Sequence, residues 1–230
     1  VKGSDGAIRY KSDPFAFLNQ FPTHKQQYAT ASIVWDTAYQ WKDKTWMQKR
    51  AAKQAIDASV SVYQVHHGSW MLGEDNRFLT YRELAPKLVD YIDVAKEDGM
   101  AYTHVQFNPV TEHSFYPSMG YLVSNYYAPT SRYGSPQDFM YLIDYLHQHD
   151  IGVFDDEVYA HFPKVDEAGL DMFDGTHLFT YDEAFEREHP GWGTNTFNYA
   201  RPEVCSFLVS NAVFWLEKYH IDGSRMDAVA

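Results

Sequence analysis

An α/β fold built on a parallel sheet is what this sequence predicts, and three observations predict it. Short β-branched runs alternate with longer segments whose apolar residues recur at helical spacing. The helical segments open on recognisable caps. Each strand run leads into a loop that carries ionisable residues.

Ser59 to His66 alternates and is β-branched, which predicts a first strand, with His66 and His67 projecting to opposite sides of it. Thr80 to Lys96 places Leu84, Leu88, Ile92 and Ala95 on one helical face, and Thr80 with Glu83 forms a capping box. Thr103 to Phe107 is a second strand. Ser135-Pro136-Gln137-Asp138 supplies a cap, a proline at the first helical position and an acid in the first turn. The helix it opens runs through Phe139, Leu142, Ile143 and Leu146. Gly152 to Val158 is a third strand, followed by a long insertion of the kind usually kept for function. Pro202-Glu203 opens a helix carrying Phe207, Leu208, Asn211, Trp215 and Tyr219, and Ile221 to Met226 is a fourth strand.

Four consecutive βα steps over residues 59–230 fit the first half of a (β/α)8, or TIM, barrel. In such a barrel every strand end gathers on one catalytic face. The strand-end residues are His66, then Glu112 and His113, then His161, then Asp227. A doubly wound sheet would also alternate, but His66-His67-Gly68-Ser69-Trp70 is no glycine-rich phosphate loop. Residues 1–58 differ, with turn chemistry at Ser4-Asp5-Gly6 and Ser12-Asp13-Pro14 and a stretch holding Trp35, Trp41 and Trp46. They read as the end of a preceding module plus a linker that packs on the next domain, too small to bury its own core.

Composition narrows the function. Of 230 residues, 45% are apolar, enough for a core. The net charge of −12, with no basic run, argues against a nucleic-acid partner. No apolar stretch approaches the ~20 residues of a membrane span, and the start has no signal-peptide core. One cysteine, Cys205, excludes an internal disulfide and a thiolate metal cluster, and fits a reducing cytoplasm. Aromatics make up 17%, which serves either core packing or the stacking of sugar rings.

The segment Asp222 to Val229 is the most informative. Arg225 and Asp227 stand two apart on a strand and share a face. A carboxylate beside a guanidinium is favoured in its charged form, and a charged carboxylate on a barrel's catalytic face can attack an anomeric carbon. The same pair could equally be an ion pair that holds the strand end. Asp156 and His161, at the end of the third strand, can bracket sugar hydroxyls; His161 alone could be a core histidine. Tyr121, after the second strand, is a stacking platform or a packed tyrosine. No pair of residues has metal-ligand spacing on a helix, so no metal is expected.

This combination resembles the α-amylase superfamily (glycoside hydrolase family 13). Longer motifs are similar to those of the glycogen branching enzymes: Tyr63-Gln64-Val65-His66-His67-Gly68-Ser69-Trp70, Pro109 to His113, Tyr126 to Gly134, Ala160-His161-Phe162-Pro163-Lys164, Phe173-Asp174-Gly175-Thr176, and Tyr219-His220-Ile221-Asp222-Gly223. Lys11 to Phe17 joins them. The resemblance implies a retaining transglycosylase that cuts an α-1,4-glucan, such as amylose or glycogen, and transfers the piece to a 6-hydroxyl. It implies Asp227 as nucleophile, Arg225 as its orienting partner, and Tyr121, Asp156 and His161 as the lining of the cleavage subsite. It implies no organic cofactor, and a β-sandwich glucan-binding module whose tail falls within residues 1–58.

Two departures qualify the resemblance. The retaining mechanism needs a second carboxyl about 5–5.5 Å from the nucleophile. In the family that residue comes from a later strand, so the chain to Ala230 is expected to be incomplete as a catalyst, with open barrel edges that invite self-association. The third strand reads Asp155-Asp156-Glu157 where the family has apolar neighbours, and Tyr159 stands for a proline; like charges this close repel. Asn108 in the second strand replaces a leucine. Other readings remain: a debranching or trehalose-releasing hydrolase of the same superfamily, or a glucan binder without turnover.

Overall fold

The computed structural model of the chain describes residues 1–21, 31–164 and 169–229. Residues 22–30, within the predicted N-terminal module, and the terminal Ala230 lie outside the described residues.

The N-terminal region is built of small pieces held against the main body. β1 (Leu18–Asn19) and β2 (Ser32–Ile33) form an antiparallel pair. Asn125 Nδ2 donates to Asn19 Oδ1 and to the Asp13 carbonyl, fixing that pair in place. The polar segment after Trp41 is a helix, α1 (Lys44–Lys53). Its buried Trp46 donates its indole N–H to Asp222 Oδ1 at 2.9 Å. Beneath it, both nitrogens of His147 donate to carboxylates, Asp43 at 2.9 Å and Asp222 at 2.9 Å. A ring with two acceptors is a cation, and although burial opposes it, the two carboxylates hold its pKa above the ordinary value. This segment is thus held to the main body by a chain of charge-assisted bonds.

The main body follows the predicted alternation. β3 (Val62–Val65) leads to a short helix α2 (His67–Trp70), then α3 (Tyr81–Glu97) and β4 (His104–Phe107). β5 (Thr111–Glu112) pairs with β6 (Asn125–Pro129) antiparallel. Then come α4 (Pro136–Gln148) and β7 (Gly152–Glu157). The insertion contains β8 (His161–Pro163), α5 (Ala184–Arg187), β9 (Glu188–His189) and β10 (Thr194–Thr196). The chain closes with α6 (Pro202–Lys218) and β11 (Gly223–Met226). Four strands, β3, β4, β7 and β11, pair in parallel in the order of the chain.

The predicted capping box of Thr80 with Glu83 is present on α3, and the predicted Ser135 cap on α4 forms a capping box with Asp138. Leu84, Leu88, Phe139, Leu142, Ile143 and Leu146 are fully buried between those helices and the sheet. Each such side chain contributes about 1.5–3 kcal/mol of transfer free energy.

Three local expectations are corrected. The first strand is shorter than Ser59–His66, and His67 is not on it. The backbone N–H groups of Ser69 and Trp70 turn back onto the His66 carbonyl, which starts α2 and buries His67 against Tyr133. The insertion after β7 is not a plain loop, because β8, β10 and β9 form an antiparallel sheet of their own. Finally, Asp155 and Glu157 are accommodated with β7 intact, both almost wholly buried.

Candidate active site

Parallel pairing of β7 with β11 sets Arg225 beside Asp156. Arg225 Nη1 lies 2.8 Å from both Asp156 oxygens and 2.8 Å from Asp227 Oδ1, so one guanidinium nitrogen joins two carboxylates. Asp227 follows the end of β11, its backbone N–H donating to the Glu157 carbonyl at 2.9 Å. Tyr121 arrives from the loop after β5 and donates its hydroxyl to Asp156 Oδ2 at 2.7 Å. The turn before it needs glycine. Gly120 has φ +93°, and a Cβ there would sit 2.2 Å from the Pro109 carbonyl oxygen. His161 Nε2 donates to the Tyr121 carbonyl at 3.0 Å, which leaves Nδ1 buried with no partner among the described residues.

Electrostatics here are set by burial and by the shared guanidinium. Burial pushes the Asp156 carboxyl above its ordinary value, and the nearby Asp227 charge adds to the rise; Arg225 and the Tyr121 hydroxyl pull it back without cancelling it. Burial and the Asp156 carboxylate raise Tyr121, so its phenol keeps its proton as a donor. Burial lowers His161, which keeps the imidazole neutral. Hydrogen bonding to Asp156 raises Arg225 further.

All five residues singled out in the sequence therefore meet: Tyr121, Asp156, Arg225 and Asp227 in one hydrogen-bonded network, and His161 through the Tyr121 backbone rather than through Asp156. The other strand-end residues take different roles. His66 pairs with Ser69 Oγ at 2.7 Å. Glu112 is enclosed by donors, Arg132 among them, and His113 is buried with its pKa pushed down to about 3 by desolvation. Among the described residues, no group of three or more His, Cys, Asp or Glu is placed to hold a metal ion.

The network opens into a cleft lined by Phe115, Ser118, Tyr121, Leu122, His161, Trp192, Thr194 and Asp227. Trp192 and Thr194 come from the insertion and were not singled out in the sequence. The only local sign was Gly191-Trp192-Gly193, a bulky aromatic between two flexible residues.

No family model matches the chain. Curated relatives do. The chain is 54% identical over 222 residues to a "1,4-alpha-glucan branching enzyme GlgB" of Aquifex aeolicus, covering 96% of this chain and 34% of the relative. It is 52% identical over 220 residues to the protein of that name from Albidiferax ferrireducens, covering 96% and 33%. The chain is a relative of the glycogen branching enzymes. It spans about a third of the length of those relatives. A solved structure described as a putative alpha amylase from Salmonella typhimurium superposes with a TM-score of 0.72 at 25% identity, covering 98% of this chain and 33% of that one. The mixed α/β arrangement therefore fits the α-amylase type of fold. Among the described residues no helix is long and apolar enough to cross a membrane.

Proposed function

We propose that the chain supplies the nucleophile-bearing part of a 1,4-α-glucan branching enzyme, acting on amylose or glycogen. The observation that carries the proposal is Arg225 Nη1 held between Asp156 and Asp227 at the edge of an open cleft. Asp227 attacks C1 of a glucosyl unit, the C1–O4 bond breaks, and the O4 leaving group takes a proton from an acid. The 6-hydroxyl of an acceptor chain then attacks C1, giving its proton to the same group and releasing Asp227. Two inversions at C1 give net retention. Arg225 orients Asp227, while Asp156, Tyr121 and His161 bind the glucosyl ring whose C1–O4 bond is broken. The acid/base is a residue other than these five.

In this reading residues 59–230 are the first four βα steps of a (β/α)8 barrel. The unbroken order of β3, β4, β7 and β11 supports it, since a doubly wound sheet reverses its order at a switch point. Residues 1–58 are the end of a β-sandwich module and its linker. The edge strands β3 and β11 are where further strands or a second copy would pair. The single cysteine favours a reducing, cytoplasmic setting, and the acidic charge disfavours nucleic acid.

An activated donor tests the nucleophile without needing the acid. With α-maltotriosyl fluoride, C1–F cleavage releases fluoride unprotonated, and the expected outcome is a glycosyl ester on Asp227, seen by mass spectrometry and absent from Asp227→Ala. An ester on another residue overturns the assignment. With amylose and the complete enzyme, new α-1,6 linkages support branching; a net gain of reducing ends instead would indicate a hydrolase of the same superfamily.

A further inference from the structure

Trp192 stands out as a large aromatic left 53% exposed on an exposed turn, residues 189–193, beside the cleft. Its position is nevertheless fixed. One face of the indole stacks on His189, with ring centroids 3.9 Å apart and planes at 9°. Its backbone N–H donates to the His189 carbonyl at 3.1 Å, and its edge meets His161 at 5.3 Å. The strands β9 and β10 on either side hold this turn in register. A rigid aromatic with one face covered and the rest open to the cleft is prepared for a flat apolar surface.

A second observation comes from the same wall. Thr194 is 1% exposed, yet among the described residues its Oγ1 has no partner. His161 Nδ1 is in the same state, and both residues line the cleft with Trp192. Buried polar atoms left unpaired cost free energy, which a ligand hydroxyl would recover. An exposed indole beside unpaired hydrogen-bonding atoms matches a pyranose, whose C–H face is apolar and whose rim carries hydroxyls. Phe115, 54% exposed, lines the same cleft and extends its apolar surface.

We infer that the Trp192–Thr194 turn builds a sugar-binding subsite of its own, with Trp192 stacking on one glucosyl ring of the bound glucan and the Thr194 hydroxyl bonding its rim. The inference rests on the glucan reading proposed above. It gives the insertion after β7 a function: the small antiparallel sheet carries a recognition surface to the nucleophile.

The test is calorimetric titration of the chain with maltoheptaose. Trp192→Ala weakens binding roughly tenfold or more, the size of a lost aromatic contact with its area. Trp192→Phe keeps most of the affinity, and Thr194→Val weakens it about threefold to tenfold. Wild-type binding that is unchanged in Trp192→Ala and in Thr194→Val overturns the subsite while leaving the glucan reading intact. No binding by the wild-type chain overturns the glucan reading itself. Should Trp192→Ala fail to fold, Thr194→Val decides by the same titration.

Discussion

Glu112 lies buried at the β5–β6 junction, while Asp155 and Glu157 lie buried on β7, yet the two regions handle their acids differently. Glu112 Oε1 accepts from the His113 N–H, Thr130 Oγ1 and Arg132 Nη1; Oε2 accepts from the Ser131 N–H and Ser131 Oγ, all at 2.8–3.0 Å. On β7, neither Glu157 oxygen nor Asp155 Oδ2 has a well-formed hydrogen bond, and Asp155 Oδ1 accepts from the Asp156 N–H. The nearby Tyr159 hydroxyl donates to Asn211, and its pull on Glu157 lowers that carboxyl without cancelling the effect of burial. Burial pushes Glu157 up to about 8, with the Asp156 charge adding to the rise. Burial also drives Asp155 well above the carboxylate range, with the Glu157 charge adding to it. Burial alone therefore does not decide what an acid does. A ring of donors makes a glutamate a structural knot; without donors the carboxyl keeps its proton.

Removing a partner from the knot gives the largest effect. Arg132→Ala leaves a buried acid without its guanidinium and is expected to lower stability by about 3–5 kcal/mol, read by urea unfolding at pH 7. A loss below about 1 kcal/mol would break the contrast, because Glu112 would then behave like Glu157.

The opposite change on β7 comes next and has the opposite sign. Glu157→Leu is expected to raise stability on the order of 2–4 kcal/mol at pH 8. The pH dependence follows from the raised pKa. Between the ordinary value of 4.5 and about 8, unfolded chains have lost the Glu157 proton while native chains keep it. Raising pH through that window therefore favours unfolding, and the decline levels off above about 8. Glu157→Leu should flatten that part of the slope in a series of unfolding curves; an unchanged slope would mean the carboxyl is ionised in the fold.

The smallest effect sharpens the contrast from outside. Glu83 also collects several donors, from Arg77 and Thr80, but at the surface. Glu83→Ala should shift the melting temperature less than either change above, and less again in high salt. A shift as large as that of Arg132→Ala would show that donor count matters more than burial.

Much of this was legible in the residues. Caps at Thr80 and Ser135 and apolar spacing through α3 and α4 depend on neighbours three and four positions away. Tyr121, Asp156, His161, Arg225 and Asp227 could be named because motifs around them resemble a known family. The role of Glu112 was not legible, since its donors sit mostly in the turn beyond β6. Nor was the β8–β10–β9 sheet, whose strands are too short to show a period.

The sequence by itself determined the three long helices, where each begins, and which residues are chemically able to form a glycosidic site. Tertiary structure alone decided who meets whom. Arg225 reaches Asp156 across 69 residues only because β11 lies beside β7. Trp192 reaches the cleft only because the insertion folds into its own sheet. The protonation of Glu157 depends on burial, which only the folded chain imposes. Local propensity acts over a few residues, whereas desolvation and charge pairing act through space, and folding is what sets those distances.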